Sequence, residues 1–239
     1  MAKAANEVWT VLAHEPMEQL EEGLWRVEGS LPNMPLRRVM TVARLASGDL
    51  LVHNPIAVDA STLAAIDALG RVGFIVVPNG WHRLDVPAFR ARYANARVLA
   101  PRGSIKKVAE IAPGVVDLAA LPSDPNVSLD VVDGTNGLEA VMTVKANGGV
   151  SVVLADAVFN MPHLTGLQGF VLRNVTGSSG GPRVSRVARL LLIKDKAAFA
   201  AHLRRLATSD LRRVLVAHHQ TIADDPAGAL RRVAASVHR

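Results

Sequence analysis

No cysteine occurs anywhere in the 239 residues, and that absence removes disulfide staples, thiolate nucleophiles and Cys-type zinc sites together. Any metal must be held by His, Asp or Glu. Aromatic residues are scarce too, at 4% with a single tyrosine, so stacking platforms for nucleic-acid bases are few. No run approaches the roughly 18 consecutive apolar residues of a membrane span, and the opening MAKAANEVWTVLAHEPMEQL lacks the apolar core of a secretory leader. A cytoplasmic protein that meets no membrane is the expectation.

What is present is ordinary for a folded chain: 49% hydrophobic and 20% charged residues, enough for a sizeable core. The formal charge is +6, but it is unevenly spread. From Arg183 onward 12 Lys and Arg face 4 Asp and Glu, a net of +8, which leaves −2 for residues 1–182. Much of the excess forms pairs (Arg204-Arg205, Arg212-Arg213, Arg231-Arg232) among Ala, Leu and Val, the pattern of wet faces on amphipathic helices. With so few aromatics, this argues against nucleic acid as a partner. A small-molecule substrate or ligand is expected instead, and nothing in the sequence speaks against a homodimer.

Segments rich in Val, Leu and Ile that stop at Gly, Pro or Asn predict strands: LWRVEGSLP, MTVARLASGDLLVHNPI, RVGFIVVPN, ARVLAP, VSLDVVDG, LEAVMTVKANGGVSVVLADAVF and RVLVAHH. Two of these contain hairpins, turning at Ser47-Gly48-Asp49 and at Asn147-Gly148-Gly149, where Asn and Gly tolerate positive φ. Helices are expected in DASTLAAIDALG, with Asp59 or Ser61 as N-cap and Gly70 as C-cap, and in VPAFRARYA, SIKKVAEIA, DKAAFAAHLRRLA and DPAGALRRVAASV. The stretch TGSSGGPRVS, 176–185, reads as a flexible or ligand-covering loop. No repeat and no interior linker appear, so residues 1–239 are taken as a single α/β domain.

Candidate chemistry gathers at strand ends, where open α/β folds place their sites. His53, His82, His218 and His219 each follow an apolar run, and Asp156 ends the very apolar VSVVLADAVF. A carboxylate in such a place needs a partner. Taken singly, each has a plain structural explanation: a strand-end Asp caps a turn or meets an Arg, and a strand-end His bonds a carbonyl.

In order along the chain, GDLLVHNPI, a helix, GFIVVPNGWH, YANARVLAP, VVDGTNGLEAVMTV, GGVSVVLADAVF and RRVLVAHHQTI resemble the metallo-β-lactamase fold superfamily over about residues 24–236, and most closely a branch with eroded metal motifs. The resemblance implies a four-layer αββα sandwich. LADAVF is similar to the strand ending in the family's metal-bridging aspartate, and VLVAHHQTI to its final strand ending in a histidine ligand. It therefore implies a bridging role for Asp156 and a ligand role for His218. The family's His-x-His-x-Asp-His loop is reduced here to VVPNGWHRLD, in which His82 stands for the last His, Trp81 for the Asp and Asn79 for the second His. Gly134 in DGTNG stands where a further histidine is expected.

His82, Asp156 and His218 then form the expected metal set, two imidazoles and a carboxylate suited to at most one Zn²⁺, Fe²⁺ or Mn²⁺. His82 and Asp156 are the expected catalytic pair. His53, Asn79 and His219 are expected to contact the ligands or the substrate. The implied activity is hydrolysis of an ester, amide or phosphate bond. The alternative is a catalytically inactive, metal-free relic that binds a ligand or partner, and a third reading is metal-free acid-base chemistry by His82 and Asp156.

Overall fold

The computed structural model describes residues 5–146 and 148–238. The larger sheet holds seven strands in sequence order: β1 (Glu18–Glu21), β2 (Leu24–Leu31), β3 (Met34–Arg44), β4 (Leu50–His53), β5 (Val72–Val76), β6 (Arg97–Ala100) and β7 (Val116–Asp117). β1 to β4 are antiparallel, and β4 to β7 run parallel. Three helices serve as connections: α1 (Ala60–Leu69), α2 (Val86–Arg92) and α3 (Ile105–Ala109). Asp59 starts α1 by accepting from Thr62 N at 2.8 Å, which satisfies one of the amides a helix leaves unpaired at its start.

The second half supplies β8 (Val127–Val131), β9 (Ala140–Ala146), β10 (Gly149–Leu154), β11 (Phe159–Met161), α4 (Gly166–Asn174), β12 (Gly181–Arg183), α5 (Arg186–Leu191), α6 (Lys196–Leu206), β13 (Leu211–Val216) and α7 (Pro226–Ser236). The smaller sheet has the order β13-β10-β9-β8, with β10 and β13 parallel.

Strand alternation sorts the apolar side chains into three cores. Met40, Val42, Leu50, Val52 and Ile75 pack with Ile66, Phe89 and Val108 of the first three helices. Leu24, Leu51, Phe74 and Leu99 face Met142, Val144, Val153 and Leu215 of the smaller sheet. Val152, Leu154, Val214 and Val216 pack beneath Phe199 and Leu203 of α6 and Leu230 and Val233 of α7. Three cores separate four layers, helix, sheet, sheet and helix, which is the αββα sandwich expected. Phe89 and Phe199 are fully buried, and truncating either to alanine would cost about 3–5 kcal/mol.

The hairpin around Gly48 forms as expected, with φ +88° at Gly48. The second hairpin joins β9 to β10; Asn147 of its turn lies outside the described residues. The stretch 176–185 differs from a free loop. Gly181–Arg183 pair with Phe159–Met161, Gly180 N donates to Met161 O at 2.7 Å, and Ser178 and Ser179 are buried. The Gly and Ser that suggested flexibility instead allow two close backbone segments to pair. Among the described residues no helix is long and apolar enough to cross a membrane.

Candidate functional site

The carboxyl ends of β4, β5, β10 and β13 meet at one end of the sandwich. Main-chain bonds tie the sheets together there: Ala140 N donates to Pro78 O at 2.8 Å and Val39 N to Ala217 O at 2.8 Å, while Ala217 N extends the β10–β13 ladder by donating to Leu154 O at 3.0 Å. Asp156 stands just beyond β10, His218 just beyond β13, and His82 in the loop between β5 and α2.

These three side chains converge. His82 Nε2 lies 3.0 Å from Asp156 Oδ2, His218 Nε2 lies 3.2 Å from Asp156 Oδ1, and one ligand atom from each residue falls within 4.8 Å of the others. The two rings are 5.2 Å apart, and Phe159 stacks on His218 at 5.2 Å.

What lies behind each imidazole decides what it presents in front. His218 Nδ1 is 2.9 Å from Arg37 O; a carbonyl only accepts, so Nδ1 carries the hydrogen. His82 Nδ1 is 2.9 Å from Asn54 Oδ1, and Asn54 Nδ2 donates to Val39 O at 2.8 Å, which fixes the amide with its oxygen toward the ring. Both neutral histidines therefore aim an Nε2 lone pair at the same carboxylate. Two lone pairs facing an anion repel unless a proton or a cation stands between them, so the donor set fits a divalent ion.

Protonation is the other solution. Burial opposes a charged His218, but the bond and the charge of Asp156, with the Arg37 carbonyl, outweigh it and raise the imidazole's pKa. Burial would raise Asp156, yet the His82 charge and the His218 and His82 bonds hold it well below the ordinary carboxylate range.

Asp156 is positioned from behind by Glu139, which the sequence reading missed. Its carboxylate accepts from Ala155 N at 3.1 Å, Asp156 N at 3.1 Å and Ala157 N at 2.7 Å. Asn79 Nδ2 bridges the two acids, 3.2 Å from Glu139 Oε2 and 2.8 Å from Asp156 Oδ2. Burial and the Asp156 charge push Glu139 up to about 8, against the pull of the N–H donors. The signal was available: Glu139 precedes the apolar AVMTV much as Asp156 follows VSVVLA, and a buried acid needs donors.

A cavity of about 480 Å³ opens on the cluster, lined by carbon from Leu31, Met34, Leu36, Trp81, Phe159, Leu172, Val187 and Leu191, with His82, Asp156 and His218 among its polar groups. Arg38 also lines it, tied to the fully buried Asp85 at 2.6 Å.

A family profile described as a domain of unknown function (DUF4336) matches residues 17–104, a span that holds His82 but neither Asp156 nor His218. No curated protein matches the chain. Among solved structures, a metallo-β-lactamase from Erythrobacter litoralis aligns at 14% identity and TM-score 0.61, over 92% of this chain and 95% of its own. The DIM-1 metallo-β-lactamase aligns at 10% identity and TM-score 0.62, over 95% and 99%. FIM-1 from Pseudomonas aeruginosa, in a mono-zinc form, aligns at 11% identity and TM-score 0.58, over 92% and 96%. The fold is that of the metallo-β-lactamases.

Within this metallo-β-lactamase fold the remaining expected residues take distinct places. Asn79 supports Asp156, as above. His53 is fully buried, stands outside the converging set, and has no hydrogen-bond partner at either ring nitrogen. Burial, then the His82 charge, pushes it down to about 3. His219 adopts φ +68° and turns toward β3, where its Nε2 accepts from Arg37 N at 3.3 Å. Burial lowers it to about 4. Gly134, where the resemblance expects a histidine, has φ +77° and would place a Cβ 2.2 Å from Asp195 O. The backbone entering α6 occupies that space, so no side chain fits.

Proposed function

We propose that this protein is a metallo-hydrolase-like enzyme that holds at most one divalent ion on His82, Asp156 and His218 and hydrolyses an ester, amide or phosphate bond. The reading takes residues 1–239 as one domain acting in the cytoplasm on a small molecule. One observation carries it: both Nδ1–H groups are committed, to Asn54 Oδ1 and Arg37 O, so both Nε2 atoms face one carboxylate. When bound, a zinc, iron or manganese ion there supplies Lewis acidity toward the oxygen of the scissile bond. The mono-zinc form of FIM-1 is a precedent for one ion in this fold.

The protein's own groups prepare the rest. Asn54 and the Arg37 carbonyl hold the imidazole tautomers, while Asn79 and Glu139 hold the Asp156 carboxylate. The carbon-lined cavity favours a substrate with an apolar body. The remaining acid, Glu139, is spent on backbone amides and His53 stands apart, which supports a site limited to one ion.

The test is metal analysis on protein purified without a histidine tag, after supply of Zn²⁺, Mn²⁺ and Fe²⁺. Roughly one equivalent should be retained, and Asp156→Asn should release it together with any esterase or phosphodiesterase activity. A wild type that retains none of the three ions sinks the proposal.

A second reading is favoured by the contact distances of 3.0 and 3.2 Å, which let protonated imidazoles close the cluster alone. The protein would then be a metal-free relic that binds a ligand in the same cavity. In that case Asp156→Asn changes stability by about 1–3 kcal/mol and metal content not at all.

A further inference from the structure

The face formed by α4 and α5 carries what the proposed chemistry does not use. α4 exposes Leu167, Phe170 and Val171, with Val175 just beyond it, positions three, four and eight residues from the first that align on one side of a helix. Leu167 is 80% and Phe170 60% exposed. α5 repeats the device with Val187, Leu190 and Leu191, and Leu190 is 75% exposed. The helices adjoin, since Arg186 N at the start of α5 donates to Thr176 O just past α4 at 2.8 Å. Scattered surface leucines need no explanation, but two neighbouring apolar stripes do.

The stripes run into the mouth of the cavity. Val187 and Leu191 both line it and are both about half exposed. Met34 and Trp81 complete the rim in the same condition.

Charge separates the occupants such a face would suit. Between Asp156 and Asp195 the chain has no acidic residue and five cations: Arg173, Arg183, Arg186, Arg189 and Lys194. The four arginines, with Arg232, line a second cavity of about 570 Å³ beside the stripes. A second copy of this chain would bring the same cations against one another. Nucleic acid would leave the leucines and Phe170 without a partner. An anionic bilayer offers phosphate to the arginines and acyl chain to the stripes.

We propose that the α4–α5 face docks peripherally on an anionic lipid bilayer, with Leu167, Phe170 and Leu190 entering the headgroup boundary and the arginine cavity taking lipid phosphate. Surface docking needs no membrane span, and in this respect it departs from the expectation of a protein that meets no membrane. It is independent of metal binding.

The experiment is vesicle co-sedimentation of the full-length protein with equimolar phosphatidylcholine and phosphatidylglycerol, against phosphatidylcholine alone. Partition should be at least about tenfold stronger on the anionic vesicles and weaken as salt rises. The double variant Leu167→Ser, Phe170→Ser should lose about tenfold in binding, and Arg173→Glu should lose severalfold. These are surface positions, and an unchanged melting temperature checks that the fold is intact. Asp156→Asn should bind vesicles like the wild type. Equal partition to neutral and anionic vesicles, or none to either, overturns the proposal. So does a dimer in sedimentation that the serine variant converts to monomer.

Discussion

Asp156 and His218 stand two residues past the ends of β10 and β13, adjacent parallel strands of the smaller sheet. His82 stands six residues past the end of β5 in the larger sheet, inside a loop. The first two inherit their separation from a hydrogen-bonded ladder, and the amides around Asp156 are gripped by Glu139. The third is held by side chains: Asn54 behind its ring, and Asn79, which binds the loop at Trp81 N and reaches the acids. A ladder sets geometry through many cooperating bonds, whereas a side-chain tether relies on one or two. The smaller sheet therefore supplies the rigid half of the cluster and the loop the adjustable half.

Glu139→Gln should test the rigid half most severely. It keeps the shape but turns one acceptor oxygen of the ionised carboxylate into a donor facing backbone N–H groups, so unfolding by urea above about pH 8 should show a loss of about 3 kcal/mol. A loss below about 1 kcal/mol would mean that the grip on residues 155–157 is not what holds Asp156.

Next in size is the response to metal, which joins the two halves. At a hundredfold excess over Kd, zinc should stabilise the wild type by about 2.7 kcal/mol in thermal denaturation and Asp156→Asn by almost nothing. Equal stabilisation of both proteins would place the ion elsewhere.

The behaviour of His53 sharpens the contrast between strand-end histidines. Its folded pKa near 3 lies below the unfolded value near 6.5, so only the unfolded chain takes the proton between those limits. Its penalty is absent above about pH 6.5 and grows as pH falls toward the folded value. His53→Leu should flatten the acid limb of the stability curve by up to about 1.4 kcal/mol per pH unit. Identical slopes in urea titrations of variant and wild type would contradict a buried, neutral His53.

The smallest effect belongs to the tether. Asn54→Ala should cost about 1 kcal/mol in stability while weakening metal affinity by about tenfold, read by competition with a chelating dye. If affinity is untouched, His82 does not depend on Asn54 for its orientation.

Much of the architecture was legible along the chain. The short apolar runs in LLVH, GFIVV and GVSVVL and the spacing in KAAFAAHLRRL reflect local backbone preference, so they survive without knowledge of the fold. The polar groups Asp156, His82 and His218 stood out because each follows closely on an apolar run. α4 did not. Its glycines at 166 and 169 look like breakers, although Gly169 is required because a Cβ there would lie 1.9 Å from Leu164 O. Its apolar stripe faces outward, which hides the usual amphipathic signal.

By itself, then, the sequence determined most of the segments outside 159–191 that become strands and helices, the cap of α1 at Asp59, and which polar groups follow the strand tips. It also set the run of 38 residues, 157–194, without an acid. Only the tertiary structure decided the partners. His82 meets Asp156 across 74 positions and Asn79 meets Asp156 and Glu139 across 77 and 60, and no local period encodes such separations. The tautomers of His82 and His218 depend on an amide and a carbonyl from other strands, and the orphaned ring of His53 on what the sheets leave beside it. Hydrogen bonds are directional and short, so which of them form is settled when two sheets close on each other and not before.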